Sequence, residues 1–175
     1  MKQLRETDTK RLMRAYRREH PPQHRIIALC QSVEYPANVG SIFRLADALA
    51  LEEVILTGIT PTPPNPTLSK TARGKEERVP WRYFKKPDEV IPELKADGYL
   101  ICALEITDTA VPFTDLHYPE RVCLVVGHED HGVTNQTLAL CDTAVYLPMF
   151  GKGRSLNVHV SLSIVCAYLS YGLCR

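Results

Sequence analysis

The chain has 175 residues, a length that predicts one domain. Apolar residues make up 45% and charged residues 23%, ordinary proportions for a folded globular protein; they exclude a wholly disordered chain, a collagen-like chain and a small disulfide scaffold. No apolar run reaches the ~18 residues of a spanning helix, and Met1-Lys2-Gln3-Leu4-Arg5 leads into further charge, so neither a membrane span nor a secretory signal is expected.

Net charge is only +1, but it is unevenly spread. Residues 1–25 hold eight cations (Lys2, Arg5, Lys10, Arg11, Arg14, Arg17, Arg18, Arg25) against three acids (Glu6, Asp8, Glu19), which is +5 and leaves −4 for the remainder. A basic arm on a near-neutral body suits an anionic partner such as nucleic acid; a merely solvated helix face is the other reading. Residues 1–24 are therefore read as an arm and 25–175 as the folded domain. The six cysteines (Cys30, Cys102, Cys123, Cys141, Cys166, Cys174) form no C-x-x-C pair and mostly sit in apolar runs. Buried free thiols in a reducing cytoplasm are expected.

Residues 8–19 read as a short basic helix with a small stripe of Leu12, Met13 and Tyr16, stopped by His20-Pro21-Pro22. Ile26–Cys30 reads as a buried strand. Tyr35-Pro36-Ala37-Asn38 reads as a turn whose Asn is a good helix cap. Val39, Ile42, Phe43, Ala46, Leu49 and Ala50 then make one apolar helix face. Glu53–Gly58 is a second strand. The proline-rich stretch 59–80 reads as a long polar loop carrying Lys70, Arg73 and Lys75. A helix near 87–97, strands at Tyr99–Glu105 and Arg121–Gly127, a short helix at 134–141 and a strand at Ala144–Met149 follow. The last helix aligns Val158, Leu162, Val165 and Leu169, with Ile164 and Tyr168 broadening the face. Helices alternating with nearly all-apolar strands predict an α/β domain with a mostly parallel sheet flanked by helices.

Ligands of such sheets sit beyond the carboxyl ends of the strands, so the strand-to-helix loops are searched for chemistry. The first loop and its helix hold Asn38, Gly40 and Arg44; Arg44 is placed in the first two helical turns, where an arginine attracts phosphate or carboxylate, unless it is a plain surface residue. In the second, Gly127 ends a strand and is followed by His128, Glu129, Asp130, His131 and Gly132. Gly127-x4-Gly132 has Val133 where a phosphate loop needs Lys, which excludes nucleotide hydrolysis on that motif. The spacing of His128, Glu129 and His131 is not that of H-E-x-x-H, and no metal is expected. In the third, two glycines precede the last helix, and Ser155 and Asn157 present polar groups at its start, a pair that reads locally as ordinary capping.

Taken in order, these loops resemble the TrmH/SpoU branch of the SPOUT-class RNA methyltransferases. The matching patterns are N-x-G-x-x-x-R at Asn38, Gly40 and Arg44; G-x-E-x-x-G at Gly127, Glu129 and Gly132; and L-P-M-x-G followed by S-L-N-V at Leu147-Pro148-Met149, Gly151 and Ser155-Leu156-Asn157-Val158. The likeness covers about residues 25–172. It implies a SPOUT-type fold with a C-terminal trefoil knot, in which the third loop and last helix thread through the loop after the fifth strand. It also implies a homodimer, and S-adenosylmethionine held at Leu104, Gly127, Leu147, Met149 and Leu156, with Gly127 bare because a side chain would meet the ligand.

The implied reaction is methyl transfer to a ribose 2′-hydroxyl of RNA. Arg44 would be the residue nearest the chemistry, with Asn38, Glu129, Ser155 and Asn157 holding it and the ribose. A guanidinium, with a pKa above ~12, is a poor base. Charge stabilisation of the alkoxide, with water or a phosphate taking the proton, is the alternative. RNA contacts are expected from the arm, including Arg11, Arg14 and Arg18, and from Lys70, Arg73, Lys75, Lys152 and Arg154. The arm in place of a separate RNA-binding domain looks most like tRNA-modifying members, whose usual target is guanosine in the D-loop; rRNA remains open, as does a non-catalytic RNA-binding relative. A nicotinamide oxidoreductase is disfavoured because no G-x-G-x-x-G follows the first strand.

Overall fold

The alternation of apolar segments along residues 25–170 is realised as a seven-stranded sheet in the computed structural model, which describes residues 1–173. The strands are β1 (Arg25–Gln31), β2 (Glu53–Thr57), β3 (Trp81–Phe84), β4 (Leu100–Leu104), β5 (Val111–Pro112), β6 (Arg121–Val126) and β7 (Thr143–Tyr146). The helices are α1 (Glu6–Glu19), α2 (Pro36–Leu49), α3 (Pro66–Ala72), α4 (Ile91–Ala96), α5 (Asn135–Leu138) and α6 (Val158–Ser170). The spatial order is β3-β2-β1-β6-β4-β7-β5, and all six pairings are parallel. The chain runs outward from β1 to β3, restarts at β4 on the other side, and later fills the gap between β1 and β4 with β6. That gap is the point where strand order reverses, and ligands of open parallel sheets bind beside it.

Successive side chains of a strand face opposite sides, so each central strand feeds two cores. Ile26, Ala28 and Cys30 of β1 join Val122, Leu124 and Val126 of β6 on one face, under Ile42, Phe43 and Ala46 of α2 and Leu162, Val165 and Leu169 of α6. Ile27 and Leu29 join Cys123, Val125 and Ile101 on the other, under Ile91 and Leu94 of α4. Four described cysteines are buried within these layers, Cys141 is half-buried, and all five are free thiols. Burial pushes the Cys30 and Cys102 thiols up to about 12, which keeps them protonated and unreactive. Cys174 lies outside the described residues.

The structure departs from the sequence reading at several places. The 59–80 segment is not all loop: Pro66 opens α3 at its first position, where a missing N–H costs nothing, and Asn65 Oδ1 caps the helix by accepting from Thr67 N and Leu68 N, both at 3.1 Å. α3 lies close against α2 at Gly40, where a Cβ would come within 2.5 Å of Leu68 O and 2.8 Å of Thr71 Cβ. Strand β3 was not foreseen, because an edge strand with half-exposed side chains lacks a clear apolar signal. The two-residue β5 is too short to leave one. Ile164 does not broaden the buried face of α6; it is exposed.

Helix α1 buries none of its residues. At 100° per residue, Lys10, Arg11, Arg14, Arg17 and Arg18 share one side, and Leu12, Met13, Tyr16 and His20 the other. The apolar side is itself exposed, and Tyr16 stacks on His20 with ring centroids 4.3 Å apart.

Candidate active site

All seven strands point the same way, so their carboxyl ends share one edge of the sheet. The loops after β4, β6 and β7 border a cleft of about 680 Å³ there. Leu104, Gly127, Leu147, Met149 and Leu156 line it, and so do Glu129, Arg154, Ser155 and Asn157; Asn38 does not. Such a volume suits a small-molecule site.

At its mouth a polar network joins three distant parts of the chain. Glu129 Oε2 accepts from Glu34 N at 2.9 Å. Its Oε1 accepts from Tyr35 N at 3.3 Å and from Asn38 Nδ2 at 2.6 Å. Asn38 Oδ1 accepts from Asn157 Nδ2 at 3.1 Å and lies 3.2 Å from His159 Nδ1. Partial burial works against the charged form of Glu129, but the donors on Glu34, Asn38 and Tyr35 outweigh it and hold the carboxyl below its ordinary value of 4.5. Glu129 is thus an anionic anchor at neutral pH. Burial alone holds His159 below 6.5, in its neutral form.

Asn38 is not the helix cap that its position suggested. The cap residue of α2 is Tyr35, Pro36 opens the helix, and Asn38 is buried, with its side chain turned to Glu129 and Asn157. Ser155 does not cap α6; Asn157 does, with Oδ1 accepting from His159 N at 3.0 Å. Arg44 sits in the third turn of α2, not the first two, so the helix N-terminus does not reach it. It is exposed and outside the lining of the cleft.

Gly127 lines the cleft, and the protein itself also leaves no room for a side chain there. A Cβ there would lie 2.1 Å from Gly132 C and 2.3 Å from Val133 N, so its obstacle is the protein's own turn. That turn is closed by His128 N donating to Gly132 O at 3.1 Å and Gly132 N donating to His128 O at 2.8 Å.

Two residues that the sequence reading passed over also shape the site. Glu105, directly after β4, accepts from Val133 N and Ile106 N, both at 2.9 Å, and ties the β4 loop to the β6 loop. His159 stands two residues after the Asn of the third motif, in the first turn of α6, and that spacing is the signal that was available.

Glu34, His128 and Asp130 bring ligand-type atoms within 4.8 Å of one another. His128 engages both ring nitrogens, however, with Nε2 3.3 Å from the Glu34 carboxylate and Nδ1 accepting from Asp130 N. Of the expected RNA contacts, Arg11, Arg14 and Arg18 lie on α1 and Arg73 is exposed, while Lys75 is engaged by Asp47 at 3.1 Å.

An all-parallel sheet with a cleft beyond its carboxyl ends, beside the reversal of strand order, places the chain among the doubly wound α/β proteins. Within that class it belongs to the SpoU rRNA Methylase family, whose model matches residues 25–167. It is 32% identical over 135 residues to the tRNA (guanosine(18)-2′-O)-methyltransferase of Escherichia coli K12, covering 77% of this chain and 58% of that protein. The enzyme of the same description from Thermus thermophilus is 29% identical over 165 residues, 94% of this chain and 82% of the relative. The chain thus spans less than two thirds of the Escherichia coli protein and most of the Thermus one. Among solved structures, the SpoU methyltransferase AviRb from Streptomyces viridochromogenes, in complex with the cofactor AdoMet, superposes with a TM-score of 0.78 at 22% identity, over 88% of this chain and 60% of that one. Among the described residues no helix is long and apolar enough to cross a membrane.

Proposed function

We propose that the chain is an S-adenosylmethionine-dependent RNA 2′-O-ribose methyltransferase that acts on tRNA, with a D-loop guanosine as its target. The observation that carries this reading is the network of Asn38, Glu129 and Asn157, one residue from each of three motifs: Glu129 and Asn157 line the cleft, and Asn38, behind its lining, bonds to both. The lining suits the cofactor in kind. Leu104, Leu147, Met149 and Leu156 offer apolar surface, and among the described residues of the lining Glu105, Glu129 and Asp130 outnumber Arg154, a balance that favours a cationic donor. When bound, the cofactor would supply an activated methyl group on a sulfonium, and Leu104, Gly127, Leu147, Met149 and Leu156 would hold it.

The chain's own task is to place the ribose hydroxyl in line and to manage its proton. Asn38, Glu129, Ser155 and Asn157 orient the ribose. Arg44 offers positive charge to the developing alkoxide, and water or a substrate phosphate takes the proton. Replacing Arg44 by Ala lowers turnover about 100-fold, the usual effect of losing one electrostatic stabiliser, and leaves cofactor affinity unchanged. Full turnover in Arg44→Ala, measured with saturating RNA, removes Arg44 from the reaction.

RNA is gripped by the cationic side of α1 together with Arg73, Lys75 and Arg154. The exposed apolar side of α1 supports a homodimer in which one protomer's arm reaches RNA held by its partner. The trefoil threading of the third loop and last helix is part of the same reading, and family membership supports it. The free, buried cysteines support a reducing, cytoplasmic setting. Deleting residues 1–20 weakens tRNA binding about tenfold or more at low salt and flattens its salt dependence, because several phosphate contacts are lost. Cofactor affinity, titrated by calorimetry, stays the same. An undiminished affinity of the truncated protein for tRNA refutes the role of the arm.

The family's description favours ribosomal RNA as the second reading. Incubation with methyl-labelled cofactor and total RNA, followed by mapping of the labelled nucleosides, decides between them. Label on guanosine ribose in the tRNA fraction supports the first reading, and label confined to rRNA the second. No incorporation overturns both.

A further inference from the structure

The contacts at the mouth of the cleft fix the position of a proton. Both oxygens of Glu129 accept N–H groups, so Asn38 must turn its NH₂ end toward them. The Asn38 oxygen then faces the other way, toward Asn157 Nδ2 and His159 Nδ1. A carboxamide oxygen only accepts, so the hydrogen must lie on His159 Nδ1. Asn157 is fixed independently, because its own oxygen caps the backbone N–H of His159. One chain of donors and acceptors thus runs from the loop after β6, through the first turn of α2, to the start of α6.

We propose that His159 is a positioning residue of this site: its Nδ1–H donates to Asn38 Oδ1 and locks the Asn38 amide with its NH₂ end on Glu129. Which ring nitrogen carries the hydrogen is set by the partner of the other atoms in the network, not by the imidazole's own preference in water, which is for Nε2–H. Without this donor, Asn38 Oδ1 keeps only the Asn157 contact. The amide is then freer to rotate and to present its oxygen to the Glu129 carboxylate, where two acceptors repel. His159 does not line the cleft and touches neither substrate nor cofactor in this scheme; it acts through Asn38. Its functional consequence rests on the methyltransferase reading, whereas the hydrogen-bond assignment does not.

The test uses the full chain labelled with ¹⁵N, at mildly alkaline pH where the imidazole is neutral. Nitrogen chemical shifts of the His159 ring report the Nδ1–H tautomer, and Asn38→Ala shifts the ring toward Nε2–H. An Nε2–H ring in the unaltered protein, or a ring indifferent to Asn38→Ala, overturns the proposal. Two variants give the kinetic counterpart. His159→Leu removes the donor, and His159→Asn places an amide N–H near the position of Nδ1. His159→Leu lowers kcat about tenfold, the worth of one well-made hydrogen bond, while the cofactor Kd changes less than about twofold; His159→Asn recovers most of the rate. Equal kcat in the two variants overturns the positioning role, because loss of packing alone affects both. If the unaltered protein transfers no methyl group to any RNA, the proposed function fails while the tautomer measurement still decides the assignment of His159.

Discussion

Gly127→Ala removes the cleft and destabilises the protein by about 3 kcal/mol, a drop in Tm on the order of 10 °C for a chain of this size. The added methyl would stand 2.1 Å from Gly132 C and 2.2 Å from Gly132 O. Both are backbone atoms, so no side chain can rotate out of the way. The turn must open, and with it go the two hydrogen bonds between His128 and Gly132 and the bond from Val133 N to Glu105. Each is worth ~1 kcal/mol, more where a carboxylate accepts. Gly127, His128 and Gly132 all border the cleft, so cofactor binding is lost together with stability. Gly132→Ala is the instructive comparison. Its Cβ would meet Glu105 Oε2, the far end of a flexible side chain, but its φ of 63° lies in the left-handed region. The cost there is backbone strain of ~1–2 kcal/mol plus a displaced carboxylate. Thermal unfolding and calorimetric titration with S-adenosylmethionine check both variants. A Gly127→Ala protein with unchanged Tm shows that the turn yields without strain.

Where the sequence reading succeeded and failed follows from how local each signal is. The buried central strands announce themselves: Ile26–Cys30 and Arg121–Gly127 are apolar on both faces because both faces are covered. The motif positions in the three loops could be read from the family resemblance, since each loop alone fits ordinary capping or a surface residue. Their partners could not, because Asn38 meets Glu129 across 91 residues and Asn157 across 119. Asn38 shows the ambiguity at its sharpest. An Asn beside a helix start satisfies every local rule for a cap, and only the fold reveals that its amide is turned to a carboxylate from the loop after β6. Prolines misled at 59–80 for the opposite reason. Pro66 forbids a helix through itself but opens one well, and Asn65 before it was the cue. Gly127 stands out locally as a glycine at a strand end, and the obstacle to a side chain there is local too: the turn through Gly132 and Val133 folds back onto the strand end. Arg44 was placed by motif alone, and the single chain leaves it on the outer side of α2.

Glu129→Gln lowers methyl transfer about 100-fold at neutral pH, the effect of impairing two or three charge-assisted hydrogen bonds at ~1.5–3 kcal/mol apiece with partial compensation. The variant keeps the shape of the side chain but replaces one oxygen by an NH₂ group. That group must face either Glu34 N or the pair formed by Tyr35 N and Asn38 Nδ2, and so sets donor against donor. If it faces Asn38, the Asn38 amide turns over and its contacts to Asn157 and His159 are lost as well. The pH dependence carries a second signature. The folded-state pKa of Glu129 lies below 4.5, so near that pH the native protein binds fewer protons than the unfolded chain, and its stability rises with pH. The contribution is fully present above 4.5 and is lost as pH falls through the lowered value. Glu129→Gln has no such titration. The difference in unfolding free energy between the two proteins, measured in urea across the acid range, is therefore constant above 4.5 and shrinks below it. A difference that stays the same down to the acid limb of unfolding shows that Glu129 is not held as an anion by the loop after β1, and the anchoring of the three motifs to one another then needs another cause.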